Sequence, residues 1–314
     1  METERFAQFK KAVLDQVCSA IVGKRETAEL VLTCFVCSGH VLLEDVPGTG
    51  KTMMLRAFSK ALGGKFSRIQ FTPDLLPSDL TGIDFYNQKT GDFEFRPGPL
   101  FANIILADEI NRATPRTQSS LLEAMEERQI SVDGKTYKLE EPFMVMATQN
   151  PLESYGTFPL PEAQTDRFFM RLRMGYPARQ EELTLISRPS TAHLINEMPV
   201  AVTPEDIAYV RQHYTQVQCA DAVAGYLMDL VERTRRDGAF AAGVSTRGAI
   251  ALYKASQAYA ALQGRDFVIP EDIKAMAPHV LAHRLSSASL SRAEEAGAYL
   301  QRLIDSVPVP TEQI

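Results

Sequence analysis

Residues 40–52 read HVLLEDVPGTGKT, and the rest of the chain can be interpreted outward from this stretch. The apolar residues within 40–44 predict a short buried strand, which the proline and glycines of residues 47–50 bring to an end. Residues 51–62 then repeat apolar positions at the spacing of a helix. A strand, a glycine-rich loop and a helix in this order are typical of loops that bind a chain of phosphates.

The residue types in this loop suit polyphosphate binding. Glycines let backbone N–H groups curve around the phosphates, and the start of the helix adds the positive end of its dipole. A lysine reaches the outer phosphates, and a hydroxyl ligates Mg²⁺. The usual pattern has a glycine where this chain has Asp45. That glycine serves loop geometry, so we expect binding to be retained. The predicted nucleotide-binding residues are Pro47, Gly48, Thr49, Gly50, Lys51 and Thr52, the last also a predicted metal ligand.

A second motif, IILADE at residues 104–109, is a predicted buried strand that ends in two carboxylates. Burying acids is costly unless they are paired or have a function. Beside a phosphate-binding loop, the first acid holds Mg²⁺ and the second orients the attacking water. We therefore predict Asp108 as a metal ligand and Glu109 as a catalytic residue. The alternative is a strand followed by a solvated acidic loop, which the glycine loop upstream disfavours.

Strands that alternate with helices up to about residue 176 predict an α/β domain with a largely parallel sheet. Beyond that point we find only helical periodicity, at about 178–187, 204–216, 220–236, 246–262, 270–284 and 292–305. The predicted domains are therefore 1–176 and an all-helical domain at 177–314. Within the first, residues 73–99 look like an insertion rich in proline, glycine and aromatic residues, and Asp133-Gly134 predicts a hairpin.

The composition excludes several classes of protein. At 314 residues the chain is long enough for about two domains, and 45% hydrophobic with 23% charged residues is typical of a globular protein. The net charge of −6 argues against a polycation that binds nucleic acid or a membrane surface. The sequence shows neither a stretch apolar enough to insert into a membrane nor a secretory core. We therefore expect a cytoplasmic protein with reduced cysteines.

Together these motifs resemble those of AAA+ ATPases, and most closely those of the MoxR family. The segments that carry the resemblance follow the family's order across nearly the whole chain: residues 42–52, 71–82, 95–101, 105–134, 147–168 and 243–252. The resemblance implies a P-loop AAA+ core with a helical lid domain, ATP and Mg²⁺ as ligands, and hydrolysis of ATP to ADP and phosphate. One departure is Thr165, where the family usually has an apolar residue, and we expect it to have little consequence.

The resemblance also assigns roles outside the two motifs. Asn150 matches the sensor-1 residue, which contacts the γ-phosphate or the attacking water, and Arg167 matches the arginine finger, which enters a neighbouring subunit's site. Arg247 matches the sensor-2 residue, which reports the nucleotide to the lid, and Val22 with Gly23 match the segment beside the adenine. The simpler alternatives are a turn residue for Asn150 and ion pairs for the two arginines. A cation at the start of a helix is slightly unfavourable, which favours a phosphate-facing role for Arg247.

The resemblance further implies a ring-shaped homo-oligomer, expected to be a hexamer, that remodels or activates a client protein. The expected partner carries a von Willebrand factor A domain. We expect residues 73–99 and the Asp133-Gly134 hairpin to face the ring pore or the partner, with local packing of the aromatic residues as the alternative. Two other functions stay open. One is a scaffold that assembles on ATP with little turnover; the other is a nucleic-acid motor, which the acidic net charge argues against.

Overall fold

The computed structural model describes residues 2–44, 48–149, 156–187, 191–287 and 293–310. Its first part begins with two helices and continues through alternating strands and helices. In chain order these are α1 (Thr3–Ala20), α2 (Arg25–Val36), β1 (Val41–Glu44), α3 (Lys51–Ala61), β2 (Phe66–Gln70), α4 (Pro77–Thr81), β3 (Gly82–Asn87), β4 (Asp92–Pro97), β5 (Ile104–Asp108), α5 (Pro115–Glu127), β6 (Gln129–Val132), β7 (Lys135–Lys138), β8 (Met144–Gln149), α6 (Glu162–Thr165) and β9 (Met170–Leu172).

The described chain is mostly helical after β9. The elements are α7 (Arg179–Ser187), α8 (Thr191–Glu197), α9 (Pro204–His213), α10 (Asp221–Arg236), β10 (Phe240–Ala242), α11 (Thr246–Leu262), α12 (Pro270–Leu281), β11 (Ser286–Ser287) and α13 (Ala293–Ser306). A 3₁₀ turn at Ala282–Arg284 follows α12 directly.

Five of the described strands form one parallel sheet in the order β2–β5–β8–β1–β9. Val41 of β1 pairs with Met146 of β8, and Ile104 of β5 pairs with Met144 of β8. In a parallel sheet all carboxyl ends lie at one edge, which brings together the segments that follow β1, β5 and β8. The predicted α/β class, a parallel sheet flanked by helices with a helical region after it, is confirmed.

The sheet separates two hydrophobic cores. Successive residues of a strand face opposite sides. Val41 and Leu43 of β1 therefore pack in one core with α1, α2 and α3, whereas Leu42 packs in the other core with α5. The first core continues into α10, α11 and α12. The helical region after β9 is thus packed directly against the sheet and the helices that flank it.

The two-residue hairpin predicted from Asp133-Gly134 is present between β6 and β7. Val132 pairs with Lys135, and the turn residues Asp133 and Gly134 have φ values of +48° and +78°. Positive φ at both central positions is what a type I′ turn requires, and Asp-Gly is a preferred sequence for it.

Residues 73–99 contain α4 and an antiparallel hairpin formed by β3 and β4. Its aromatic side chains divide into two groups. Phe95 stacks on Tyr137 of β7, with ring centroids 4.1 Å apart. Tyr86 and Phe93 contact each other and remain 55% and 68% exposed. Local packing therefore explains Phe95, whereas the Tyr86–Phe93 pair is open to solvent.

The region after β9 follows the predicted helical periodicity, with two additions. The structure has α8, and β10 pairs with β11 as a short antiparallel ribbon. Strands of two or three residues are too short to show the alternation of period two from which strands are predicted. Among the described helices, none combines the length and the apolar character that crossing a membrane requires.

His40 links the start of β1 to its neighbours. Its buried ring accepts a hydrogen bond at Nδ1 from the N–H of Val145 at 2.9 Å, and Nε2 lies 3.1 Å from the carbonyl oxygen of Met125. Accepting at one nitrogen and donating from the other requires a neutral imidazole. Burial, with the charge of Arg128 as a smaller cause, lowers the pKa of His40 to about 3.

We predict that His40 makes the fold sensitive to acid. Below its ordinary pKa of 6.5 the unfolded chain protonates His40, but the folded chain does not until about 3, so stability is lost as pH falls. From about pH 7.5 to about pH 5.5, His40 should lower the free energy of unfolding by about 1.4 kcal/mol. Urea titrations of His40→Gln should lack this loss, and His193→Gln, at an exposed histidine, should retain it. The same pH dependence in His40→Gln and the parent protein would contradict the prediction.

Candidate active site

The glycine loop leads directly into α3, which begins at Lys51. Gly48 and Gly50 have φ values of +85° and +91°, and a Cβ built on either would have no atom within 4 Å. The left-handed backbone, rather than crowding, therefore requires glycine here. Gly50 is the N-cap of α3 and has no side chain to cap the helix, so the first turn offers its N–H groups and positive dipole end to an anion. Pro47, a predicted loop residue, lies outside the described residues.

Asp108 ends β5 and Glu109 follows it, and the hydroxyl of Thr148 connects the two. Thr148 Oγ1 donates to Asp108 Oδ1 at 2.7 Å and accepts from the N–H of Glu109 at 2.8 Å. Thr148 is 1% exposed, so water does not replace these bonds. Glu109 has a φ of +58°, a left-handed conformation that costs a non-glycine residue about 1–3 kcal/mol and that clusters at functional sites.

Two residues of β2 contact the acids, and neither was predicted from the sequence. Arg68 Nη2 donates to Asp108 Oδ2 at 2.7 Å, and Gln70 Nε2 donates to Glu109 Oε2 at 2.8 Å. Arg112 Nε also lies 3.0 Å from Glu109 Oε2. The contacts arise because β2 pairs with β5, with Gln70 opposite Asp108. The sequence of β2 carries no signal that identifies the strand beside it.

One cavity of about 400 Å³ brings the two predicted motifs together. Its lining comes from the glycine loop, the start of α3, and the ends of β2, β5 and β8: Gly48, Gly50, Lys51, Thr52, Met53, Arg68, Gln70, Asp108, Glu109, Thr148 and Gln149. The described residues form no group of three or more His, Cys, Asp or Glu side chains that could hold a metal ion alone. One carboxylate and one hydroxyl suit Mg²⁺, which takes further ligands from water and phosphate oxygens.

Arg167 and Arg247 lie together, but away from this cavity. Arg167 Nη1 is 3.2 Å from Glu126 Oε2, and Arg247 Nη2 is 3.0 Å from Glu126 Oε1, so the carboxylate near the end of α5 binds both guanidinium groups. The side chains of Arg167 and Glu126 are about one-third exposed, and that of Arg247 is about one-half exposed. Neither arginine is among the described residues that line the cavity of Lys51.

The two arginines lie at the opposite edge of the sheet from the glycine loop. Their cavity, of about 420 Å³, is also lined by Gly39 and His40, which directly precede β1. The glycine loop follows β1 at its other end. A strand of four residues is about 13 Å long, so Arg167 and Arg247 are well beyond hydrogen-bond reach of a phosphate on Lys51 of the same chain.

Comparison with known proteins agrees with this geometry. Residues 40–170 match the model of the ATPase family associated with various cellular activities (AAA), and residues 232–303 match the AAA lid domain. The chain is 38% identical to chaperone MoxR1 of Mycobacterium tuberculosis, over 94% of this chain and 81% of MoxR1. The chain belongs to the MoxR family of AAA+ ATPases.

Two further proteins are similar to this MoxR-family chain over nearly its full length. YeaC of Bacillus subtilis, an uncharacterized protein, is 50% identical over 96% of this chain and 95% of YeaC. The crystal structure of a Cytophaga hutchinsonii protein assigned as an ATPase superposes on this chain with a TM-score of 0.90 at 38% identity. The superposition covers 99% of this chain and 98% of that one. The predicted family is therefore confirmed.

The remaining site residues expected of a MoxR-family chain are Asn150, Val22 and Gly23. Asn150 lies outside the described residues. Gly23 has a φ of +71°, and a Cβ there would lie 2.2 Å from Cδ of Glu181 in α7. The next residue, Lys24, is buried and donates from Nζ to the carbonyl oxygens of Met174, Gly175 and Tyr176. The segment is therefore fixed to the connection between β9 and α7, and its contact with adenine stays a prediction.

We predict that the hydroxyl of Thr148 is needed for stability as well as for the placement of the acids. Thr148→Val keeps the side-chain volume but removes the hydroxyl that accepts from the N–H of Glu109, which should lower the free energy of unfolding by about 1–3 kcal/mol. Thr148→Ser keeps the hydroxyl and loses one methyl group, worth about 0.8 kcal/mol. Urea denaturation should therefore rank the parent first, the serine variant second and the valine variant last. A serine variant less stable than the valine variant would show that the methyl group, not the hydroxyl, is what matters.

Proposed function

We propose that this MoxR-family chain hydrolyses ATP in the cavity between the glycine loop and the two acids, with Mg²⁺ as cofactor. One observation carries the proposal. Lys51 and Thr52 line the same cavity as Asp108 and Glu109, although the sequence places the two pairs in separate motifs. Residues that suit phosphate binding therefore face residues that suit a cation and an attacking water.

Each residue of the cavity has a distinct part in this proposal. Lys51 and the N–H groups at the start of α3 bind and orient the phosphates. Thr52 and Asp108 would hold Mg²⁺, which when bound neutralises phosphate charge. Glu109 accepts a hydrogen bond from the attacking water and takes its proton. The contacts of Gln70 and Arg112 both end on Oε2 of Glu109, so we assign Oε1 as the acceptor.

The positions of Arg167 and Arg247 support an assembly in which one subunit completes the site of the next. Partly exposed ion pairs such as those with Glu126 contribute little to stability, so a phosphate group can readily take the place of this carboxylate. We propose a homo-oligomeric ring, expected to be a hexamer, in which Arg167 is the arginine finger. Arg247 then acts beside Arg167 on the neighbouring nucleotide rather than on the nucleotide of its own chain.

A client protein is the substrate that the family resemblance supports. One relative, MoxR1, is named a chaperone, which fits a ring that changes the conformation of another protein. We propose that the lid domain begins after residue 176 and that the partner carries a von Willebrand factor A domain. The exposed pair Tyr86 and Phe93 on the β3–β4 hairpin offers an apolar surface of the kind that such a client or partner would contact.

We predict that Glu109→Gln separates binding from turnover. The amide keeps the shape of the side chain but cannot take a proton, so phosphate release should fall by about 10²–10⁴-fold while the affinity for ATP is retained. Lys51→Ala removes the cation beside the phosphates and should lose both binding and turnover. Fluorescent-nucleotide titration and single-turnover phosphate release measure the two properties. An equal loss of both in Glu109→Gln would instead place Glu109 among the metal ligands.

We predict that two inactive variants recover activity when they are mixed. Lys51→Ala lacks a working phosphate site, and Arg167→Ala lacks the finger, an interaction worth about 10³–10⁵-fold in rate where arginine fingers are known. In a mixed ring, some interfaces join an intact site on one subunit to an intact Arg167 on its neighbour. Those interfaces should hydrolyse ATP. Absence of recovery in rings that cross-linking shows to be mixed would contradict a shared site.

A further inference from the structure

Arg284 connects the lid region to the segment that carries Arg167. It lies in the 3₁₀ turn after α12, and its side chain is 3% exposed. Its Nε donates to Asp166 Oδ1 at 2.7 Å. A buried guanidinium requires a partner of opposite charge, and Asp166 is that partner, so the residue directly before Arg167 is joined to the lid.

The same guanidinium also binds the backbone on both sides of Arg167. Nη2 donates to the carbonyl oxygens of Phe168 at 2.7 Å and of Asp166 at 3.3 Å, and Nη1 donates to that of Phe169 at 3.2 Å. Nη1 also bonds the carbonyl oxygen of Val280, in α12 of the lid. The planar group thus uses its several N–H donors to hold residues 166–169 against the end of α12.

His283 reinforces the same contact. Its Nε2 lies 2.9 Å from the carbonyl oxygen of Phe168, which therefore accepts from both His283 and Arg284. Burial keeps the pKa of His283 well below its ordinary value, so the ring is neutral and donates from Nε2. Thr165 Oγ1 in turn donates to the carbonyl oxygen of His283 at 3.4 Å.

The stem of Arg284 reaches the helix that carries Arg247 as well. A Cβ built on Gly248 would lie 2.9 Å from Cδ of Arg284, so a side chain at this position of α11 would displace the arginine. One buried residue therefore contacts the chain on either side of Arg167 and the residue that follows Arg247. Arg167 and Arg247 meet at Glu126, and Arg284 lines the same cavity as both.

We propose that Arg284 is a positioning residue that sets where Arg167 and Arg247 are presented to a neighbouring subunit. The lid, through Arg284, then fixes the geometry of the finger, and a movement of the lid moves the finger with it. This inference rests on the proposed function, in which Arg167 acts on the nucleotide of the next subunit. A displacement of about 1 Å of a catalytic group can cost on the order of 10²-fold in rate, so a small loss of order here has a measurable effect.

The first test compares two arginine–aspartate pairs whose arginines both lie in the lid and in which one partner is almost fully buried. Arg284→Lys keeps the charge but cannot donate along the whole 166–169 segment, so kcat should fall by about 10–100-fold, with nucleotide affinity changed by less than about threefold. The matched control is Arg265→Lys, because Arg265 pairs with the buried Asp272 at the start of α12, away from residues 166–169. This variant should keep kcat within about twofold of the parent value. If Arg284→Lys does not fold, Asp166→Asn weakens the same pair and should give the same separation of kcat from affinity.

The second test uses mixed rings to locate the defect. Arg284→Lys retains its own phosphate site and lacks only a well-placed finger, so mixing with Lys51→Ala should restore ATP hydrolysis. Mixing with Arg167→Ala should restore none, because neither variant supplies a working finger. A purely structural role for Arg284 predicts equal losses in Arg284→Lys and Arg265→Lys and no difference between the two mixtures.

The outcomes also separate this inference from the proposed function. If Lys51→Ala and Arg167→Ala recover activity together but Arg284→Lys has the parent kcat, only the role of Arg284 is overturned. The role of Arg284 is also overturned if mixing Arg284→Lys with Arg167→Ala restores ATP hydrolysis. It is overturned as well if Arg284→Lys loses as much nucleotide affinity as kcat. If Lys51→Ala and Arg167→Ala do not recover activity in demonstrated mixed rings, the shared site itself is wrong.

Discussion

The common carboxyl edge of the parallel strands is the constraint on which the candidate site depends. β1 leads into the glycine loop at this edge, β5 ends in Asp108, and β8 carries Thr148 to the same place. The hydroxyl of Thr148 converts this alignment into site geometry, because it donates to the carboxylate of Asp108 and accepts from the backbone of Glu109. Water does not replace these hydrogen bonds, because Thr148 is buried. The register of β1, β5 and β8 therefore sets the spacing between the glycine loop and the two acids.

The opposite edge of the sheet carries a cavity rich in cations. Its cavity is lined by Arg128, Arg167, Arg247, Lys254 and Arg284, with Glu126 and Asp166 as acids among them. The cavity at the carboxyl edge is balanced, with Lys51 and Arg68 beside Asp108 and Glu109. A cation-rich cavity at one edge and the proposed site for an anionic nucleotide at the other suit head-to-tail contacts between identical copies, which close into a ring when the rotation between copies permits it. The pair of Arg284 and Asp166 joins the lid to the arginine edge, so the helical region is part of the proposed catalytic assembly.

The aromatic residues of the β3–β4 hairpin show how one sequence feature can serve two purposes. Phe95 packs against Tyr137 inside the molecule, whereas Phe93, two residues earlier, is exposed. Residues two apart in a strand face the same side, so alternation does not produce this division. Phe95 lies where Tyr137 and Phe101 can pack on it, whereas Phe93 lies further along the hairpin and contacts Tyr86. The aromatic residues of the insertion cannot be assigned to packing or to binding as one group. Their position along the hairpin separates them, because Phe95 contacts Tyr137 and Phe101.

The sequence by itself determined the local elements: the glycine loop before α3, the apolar strands β1, β5 and β8, and the Asp133-Gly134 turn. Each of these depends on residues close together in the chain, through backbone conformation or periodicity, and so leaves a readable pattern. Only the tertiary structure decided that Arg68 and Gln70 contact the acids, and that Arg167 shares Glu126 with Arg247. Only it joined Arg284 to Asp166, 118 positions away. Such contacts depend on which strand lies beside which and on how the helical region packs against the sheet, and a side chain's long-range partner leaves no periodic trace in the sequence around it.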